Sequence, residues 1–555
     1  MKLLIREYLA LLRESGEFDR LLPELLLAMD IIPLSKAQVG VKQSGVDISA
    51  RGKTPDGRDC LYLFVLKRGD LGRSDWDTGV NAIRPSLNEI KDTYLTSHIL
   101  PDDEDKLKLI IVSSTGDLKQ ETKDSWEGYV KSNTIAGRVE FGFWNADFLA
   151  SLIEKHLFNE HLLSDLDKSD LRKALSLIGE AEGALNYFYS FLKRVLLSKK
   201  MDQKQLIRAL RTVNLSTNIL LSWAESEGNL ANALKVVERS VLWGWEAVRK
   251  NGFQKKSKIL ENYTKVTLSY MTFLKTYFNK LQPYCYARDA ISVYSSESIL
   301  ISETIFEQIG ILAIIGLMHI EIQGGSDEFK ENARIVADAL ANLLANNPMS
   351  GSPCFDDHSN EISMALLLFY HTGYFGDAKK WLRTLVGRIT YSFANGRNFP
   401  AGTDSLDDLI EYNAEPTDRR REKLIAVSTL LPSLAQWLVV FKIESSYLHL
   451  LSYKESFKDT CMQLWYPDEM TDEHLYFEPA QYESGTSEAP IQFPSTMSQF
   501  ADQVIKIVNS KHFIEIDEQD FAKNGVPLLD LIANRHFRTP VHPLYWQRII
   551  VASSE

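Results

Sequence analysis

The sequence predicts an α/β N-terminal domain, followed by a large all-α domain and a short C-terminal part of mixed structure. Two observations lead to this fold class. Short apolar runs typical of strands alternate with helical patterns as far as Leu157, and long segments with a 3.6-residue apolar period then succeed one another over residues 164–453. The length of 555 residues also requires several domains, because single cores rarely grow beyond about 250–300 residues.

The N-terminal region gives helices and strands in alternation. An amphipathic helix opens the chain, and its charged residues Arg6 and Glu7 argue against a signal peptide. Two apolar runs, residues 45–49 and 61–66, are joined by Pro55-Asp56-Gly57, which predicts a β-hairpin. The pattern then predicts a helix over 78–95 that is interrupted at Pro85, strands over 107–113 and 138–144, and a closing helix over 148–157. Such an order is typical of an α/β layer arrangement.

The middle of the chain is predicted to be helical. Breakers such as Gly228, Pro283 and Pro348 separate the helices, but no fixed repeat period is visible. We therefore expect either a helix bundle or an irregular helical solenoid. The most apolar run, residues 309–320, is shorter than the roughly 20 residues that cross a bilayer. A buried helix, with no membrane as a partner, is the better interpretation.

Residues 456–555 are predicted to form a C-terminal extension. Its Pro-, Ser-, Gly- and Glu-rich stretch 476–497 favours a loop. A helix over 498–508 and a strand over 512–516 follow. The predicted domains are thus 1–163, 164–455 and 456–555.

Composition indicates a soluble globular protein, with 45% hydrophobic and 25% charged residues. The net charge of −12 argues against a protein that coats DNA non-specifically, although a local basic groove remains compatible with it. The four cysteines, Cys60, Cys285, Cys354 and Cys461, form no CxxC pair, which fits a reducing cytoplasm and offers no zinc site.

The hairpin carries the chemistry that we single out. Asp47 lies on its first strand, and Lys67 ends its second strand. An Asp that holds a divalent cation beside a Lys that orients water is an arrangement suited to cleaving phosphodiesters. The sequence therefore predicts a hydrolytic site at this end of the hairpin.

Over about residues 15–160 the sequence resembles the PD-(D/E)xK nuclease superfamily, particularly its Mrr-like restriction-endonuclease branch. The resemblance implies a restriction-endonuclease-like domain, with a mixed sheet flanked by helices and Mg²⁺ as the usual metal. Asp47 matches the metal-binding Asp, Lys67 the catalytic Lys, and Asp19 the acidic residue of the first helix, with Glu24 as a fallback. The stretches that carry the resemblance are Phe18-Asp19, residues 45–48, Leu66-Lys67, residues 112–116 and residues 143–150.

One position departs from the family pattern. The family places an acidic residue, or sometimes Gln, two positions before the catalytic Lys, and this chain has Val65 there. Valine has no lone pair for a hard cation. A replacement donor would have to come from elsewhere, and the candidates are Asp19, Glu24, Gln43 and Asp70.

Basic residues cluster after the hairpin. Arg68 and Arg73 follow Lys67, and Arg84 lies on the next helix, so we expect these three to contact DNA phosphates. The charged turn that holds Arg51 and Arg58 is interpreted as an ordinary exposed turn.

These features give three hypotheses. The leading one is a cytoplasmic, Mg²⁺-dependent DNA endonuclease-like effector of a prokaryotic antiviral defence system, whose helical domain senses a signal, binds a partner protein or forms homo-oligomers. The second is a catalytically degenerate nuclease fold that serves as a nucleic-acid- or protein-binding scaffold. The third is a helical-repeat interaction protein with an α/β cap. The first two hypotheses differ in whether another carboxylate replaces the acid that is missing at Val65. The sheet topology around Lys67 distinguishes the third hypothesis from both.

Overall fold

The computed structural model describes residues 2–35, 44–78, 82–157, 165–177, 183–292, 297–321, 327–403, 405–474, 485–510, 520–524, 526, 528–541, 548–550 and 552. The chain divides into two compact units. The first comprises Met1–Lys199 with Lys204–Val236, and the second comprises Lys200–Gln203 with Val237–Glu555. The boundaries expected after residues 163 and 455 lie inside the first and second unit, respectively.

The first unit contains a mixed five-stranded sheet in the order β1-β2-β3-β4-β5. Strands β1, β2 and β3 pair antiparallel, whereas β3, β4 and β5 pair parallel. In chain order, the α-helices and strands of the first unit include α1 (Lys2–Leu11), α2 (Asp19–Ala28), β1 (Ile32–Pro33), β2 (Ile48–Lys53), β3 (Asp59–Lys67), α3 (Arg73–Asp77), α4 (Ile83–Glu89), α5 (Leu95–Ser97), β4 (Leu107–Ser114), α6 (Gln120–Asn133), β5 (Val139–Trp144), α7 (Ala146–His156), α8 (Asp165–Ser176), α9 (Gly183–Leu197) and α10 (Gln203–Ser226).

Strand β3 is apolar at successive positions, and its side chains are buried on both faces of the sheet. Side chains alternate across a strand, so Leu63 and Val65 join a core with residues of α4, whereas Phe64 points to the opposite face. There the Phe64 ring lies 5.2 Å from that of Trp144, edge-on. Burial on both faces is what a near-continuous apolar strand in a partly parallel sheet requires.

Several predicted boundaries change. Strand β2 begins at Ile48 rather than at 45 and continues to Lys53. Its last three residues, 51–53, were predicted to belong to the turn, but they pair with β3. The helix expected over 78–95 begins at Ile83 and passes through a π-helical turn at Ile90–Tyr94; residues 79–81 lie outside the described part. The strands predicted over 107–113 and 138–144 are confirmed as β4 and β5.

Helices dominate after the sheet, as predicted. They are α11 (Leu230–Lys250), α12 (Ser257–Cys285), α13 (Ser298–Glu321), α14 (Asp327–Asn346), α15 (Ser359–Thr372), α16 (Phe375–Asn395), α17 (Leu406–Ala414), α18 (Asp418–Leu424), α19 (Leu430–Val440), α20 (Glu444–Ser452), α21 (Thr471–His474), α22 (Met497–Val508), α23 (Asp520–Lys523) and α24 (Leu529–Phe537). Two small sheets pair β6 (Val427–Ser428) with β7 (Cys461–Met462), and β8 (Leu464–Tyr466) with β9 (Thr486–Glu488). Strand β9 falls inside the stretch predicted as a loop, and the strand expected over 512–516 lies outside the described residues.

Helix α13 is the apolar helix that the sequence singled out. It is the one helix among the described residues whose length and apolar composition would allow it to cross a membrane. However, 61% of its apolar window is buried in the protein, and an all-round apolar helix of this kind is typical of a protein core. Burial was predicted correctly, although the helix is longer than the apolar run 309–320.

Candidate active site

The turn before β2 fixes Asp47 beside the end of β3. Gly45 has φ +80°, and a Cβ there would lie 2.3 Å from the Ser86 carbonyl oxygen, so this close approach needs glycine. The Asp47 amide donates to the Phe64 carbonyl (2.9 Å), and the Asp47 carboxylate accepts from the Leu66 amide (2.7 Å). The carboxylate is therefore held one residue before Lys67.

The N-terminal helices supply two further carboxyl groups. A π-helical turn, Glu14–Phe18, leads directly into α2, whose first residue is Asp19. An acidic side chain suits this position, because the helix N-terminus carries partial positive charge. Asp19 Oδ1 is buried and has no hydrogen-bond partner within the described residues. The orphaned oxygen is unusual, since a buried polar atom is normally paired.

The pKa shifts show that these groups share one electrostatic environment. Burial raises the pKa of Asp47, while the Leu66 amide and the Lys67 ammonium lower it and Asp19 raises it. Glu14 lies at the protein surface, yet enough protein surrounds its carboxyl to raise its pKa; Lys67 lowers that pKa, and Asp47 and Asp19 raise it. We call Glu14, Asp19, Asp47 and Lys67 the carboxylate cluster.

Hydrogen bonds between two loops fix the strand end that carries Lys67. The Ser114 hydroxyl donates to the Gly69 carbonyl (2.7 Å), and the Gly69 amide donates to the Thr115 hydroxyl (2.9 Å). A Cβ at Gly116 would lie 2.3 Å from the Gly69 carbonyl carbon, so only glycine allows this approach. The carboxyl ends of the parallel strands β3 and β4 are thereby locked together.

The structure brings together the three residues proposed as catalytic from the sequence, Asp19, Asp47 and Lys67. Glu14 was missed, although it lies only five residues before Asp19 in the sequence. Val65 is 1% exposed and packs in the apolar core, so the position two residues before Lys67 offers no metal ligand.

Two other predicted replacement donors, Asp70 and Glu24, interact with other parts of the first unit. Asp70 Oδ1 accepts from the Asp117 amide (2.9 Å), which ties it to the loop after β4. Glu24 lies near Tyr8, whose pKa it helps to raise. Gln43 lies outside the described residues.

The three arginines predicted to contact DNA are all exposed. Arg84 pairs with Asp77 at 3.3 Å. Within the described part of the chain, Arg68 and Arg73 make no ion pair, and the Arg73 amide donates to the Glu121 carboxylate (3.3 Å). In contrast, Arg58 is exposed and pairs with two carboxylates, as expected of an ordinary charged turn. The expectation was wrong for Arg51, which lies on β2 and pairs at 2.8 Å with the buried carboxylate of Asp103.

The residues present fit a magnesium ion in part. The described residues contain no group of three His, Cys, Asp or Glu side chains that would form a ready-made metal cage. Mg²⁺, however, commonly takes only about one or two carboxylates from a protein and keeps several waters. Asp47 and Asp19 satisfy that requirement, and the orphaned Asp19 Oδ1 is an oxygen that lacks a partner without a cation or a water.

The comparisons with known proteins assign no family to the chain. No family model matches the sequence, and neither a curated protein nor a solved structure is significantly similar to it. The function must therefore be argued from the site itself.

Proposed function

We propose that the N-terminal domain is a metal-dependent DNA endonuclease domain of the restriction-endonuclease-like type. One observation carries this proposal: the Asp47 carboxylate is held by the Leu66 amide at the end of β3, where the charges of Asp19 and Lys67 act on it. Acidic side chains that can hold a divalent cation, beside an amine, suit the hydrolysis of a phosphodiester. The mixed sheet with helices on both faces agrees with the architecture that the sequence resemblance implies.

Each residue of the cluster has a role in this proposal. Asp47 and Asp19 would hold Mg²⁺, and Glu14 would add negative charge beside them. The bound ion would activate water and polarise the phosphate. Lys67 positions the attacking water and stabilises the negative charge that develops on the phosphate. Arg68 and Arg73 bind the phosphates on either side of the scissile bond.

A second function is favoured by Val65. This residue is buried in the core, so the family's acidic position is lost without a substitute on the same strand. A domain of this kind would bind nucleic acid or a partner protein without cleaving it. The exposed Arg68 and Arg73 would serve such binding equally well.

The helices that follow the N-terminal domain have a separate role in this proposal. We assign it a sensing, partner-binding or oligomerising role in a prokaryotic defence-type effector, which rests on the sequence resemblance of the N-terminal domain alone. The third hypothesis, a helical interaction protein with an α/β cap, is disfavoured by the gathering of acids and Lys67 at the hairpin.

Cleavage of plasmid DNA in Mg²⁺ and in Mn²⁺ tests the proposal. We expect wild type to cut, and Asp47→Asn and Lys67→Met each to lose at least about 10²-fold in rate. Asp59→Asn and Lys53→Met are matched controls, because both residues lie at the opposite, exposed end of the same hairpin. Wild-type DNA binding without cleavage would favour the non-catalytic function, and equal cleavage by all variants would contradict both assignments.

A further inference from the structure

A cavity of about 470 Å³ lies in the second unit, far along the chain from the carboxylate cluster. Its walls come from the start of α13, the loop around Ser352, helix α16, Phe399 and helix α17. This volume falls within the roughly 300–1,000 Å³ of typical small-molecule sites. The cavity is therefore large enough for a ligand rather than for a few waters.

The wall combines an apolar floor with polar groups. Met349, Phe399 and Leu409 supply apolar surface, and Ser298 and Asn413 supply a hydroxyl and an amide. Sites for small organic molecules have this composition, in which apolar surface gives affinity and a few polar groups fix orientation.

Arg388 is the single charged residue among the residues that line the cavity. Its side chain is half-buried, and its Nη1 donates to the Pro348 carbonyl (2.6 Å) and to the Ser352 hydroxyl (3.1 Å). Within the described ranges no carboxylate pairs with it, and its other N–H groups donate no hydrogen bond. A guanidinium held in place with spare donors and no counter-charge is suited to an anion.

Gly387, next to Arg388, leaves open space in the wall. A Cβ added to this helical glycine would meet no heavy atom within 4 Å. The cavity can therefore be filled from this position without displacing a neighbouring side chain.

We propose that this cavity binds a small organic anion, in which a carboxylate or a phosphate monoester contacts Arg388 and an apolar or aromatic body lies on the floor. The two anion types share one chemistry, which is anionic oxygen that accepts hydrogen bonds from a guanidinium. This site is independent of the nuclease proposal, since neither Arg388 nor its surroundings belong to the first unit.

Fluorescence titration of the full chain with anilinonaphthalene sulfonate, an aromatic anion, tests the proposal. We expect wild type to bind the dye at this site, and Arg388→Gln and Gly387→Leu each to weaken that binding by about tenfold or more, as loss of a charged hydrogen bond or of the space would. Gly376→Leu is the matched control, because Gly376 lies in the same helix, is exposed and also has no atom within 4 Å of an added Cβ. Unchanged dye affinity in both cavity variants would overturn the proposal.

Two further measurements keep the test decisive. Arg388→Lys retains the positive charge and should bind the dye more tightly than Arg388→Gln does. This comparison tests the role of the charge whether or not Gly387→Leu folds. Displacement of the dye by phenyl phosphate or by benzoate separates the two anion types. Equal displacement by neutral benzyl alcohol would contradict the anion assignment.

Discussion

At the scale of single residues, Asp47 is held between opposing influences. Burial disfavours its charged form, and Asp19 adds repulsion, whereas Lys67 and the Leu66 amide favour the carboxylate. A group in this situation binds protons more readily than an ordinary Asp does. A divalent cation would tip the balance, because it binds the ionised form.

Removing Lys67 should therefore change the pH dependence of metal binding. Lys67 lowers the pKa of both Asp47 and Glu14, so Lys67→Met raises both pKa values and leaves more of each carboxyl protonated at a given pH. We expect the pH at which half of the Mn²⁺ binding is lost to move upward, as measured by calorimetric titration over a pH series. The control Lys53→Met should leave that pH unchanged, and an unshifted profile in Lys67→Met would contradict the electrostatic account.

Residues of the cluster differ in how well the sequence predicts them. Asp47 and Lys67 follow from strand ends and a turn, and Asp19 follows from the resemblance to the nuclease superfamily. Glu14 does not, because a π-helical turn breaks the 3.6-residue period on which sequence patterns depend. Its contribution depends on which way that turn faces in three dimensions.

At the scale of elements, the site depends on two loops that meet at the carboxyl ends of β3 and β4. Besides the bonds around Gly69, Asp117 in the second loop accepts hydrogen bonds from Arg6 of α1 (2.6 Å) and from Asn145 before α7 (2.8 Å). One carboxylate thus joins the first helix, the β4 loop and the last helix of the sheet layer. Lys67 lies at the strand end that this arrangement holds in place.

Gly116→Ala should disturb that arrangement. Its Cβ would clash with the Gly69 backbone, so we expect a loss of about 1–3 kcal/mol in the free energy of unfolding, measured by urea denaturation. Gly128→Ala is the control, since Gly128 is exposed in α6 and an added Cβ there meets nothing within 4 Å. This control should be neutral or more stable by about 0.5–1 kcal/mol. Equal stability of the two variants would show that the loops have room to separate.

Element boundaries were predicted less well than element types. Apolar strands such as β4 are visible in the sequence because both faces are buried. The polar end of β2 at Lys53 and the two-residue strand β1 exist only through pairing with neighbouring strands, which local composition does not record. The coarse order of sheet followed by helices was predicted because it depends on periodicity alone.

At the scale of the whole molecule, a buried charge network joins distant parts of the second unit. Glu238 bonds to Arg535 and to His536 Nδ1 (3.1 Å), and Tyr270 donates to the same carboxylate (3.1 Å). His536 Nε2 accepts from Arg239 (2.8 Å), so Nδ1 carries the proton that reaches Glu238. Sequence reasoning could not find this network, because its two halves are separated by nearly 300 residues of chain.

Arg535→Met should destabilise the second unit strongly. It leaves Glu238 buried without its main counter-charge, and breaking a buried ion pair from one side costs about 3–5 kcal/mol. Although burial alone would raise the pKa of Glu238, Arg535 and His536 hold it at about 2. The carboxylate therefore stabilises wild type above the ordinary glutamate pKa, and this stability is lost as the pH falls towards 2.

Chemical denaturation near neutral pH measures the effect of Arg535→Met. Arg383→Met, at an exposed position of α16, serves as the control and should stay within about 0.5 kcal/mol of wild type. A variant at Arg535 as stable as this control would show that the pair contributes no net stability.

Titration of the full chain with Mn²⁺ tests the central claim, that Asp19 and Asp47 hold a divalent cation. The account predicts saturable binding to wild type and to Asp59→Asn, and affinity lower by at least about tenfold in Asp19→Asn and in Asp47→Asn. Absence of Mn²⁺ binding to wild type, or equal affinity in all four proteins, would contradict it.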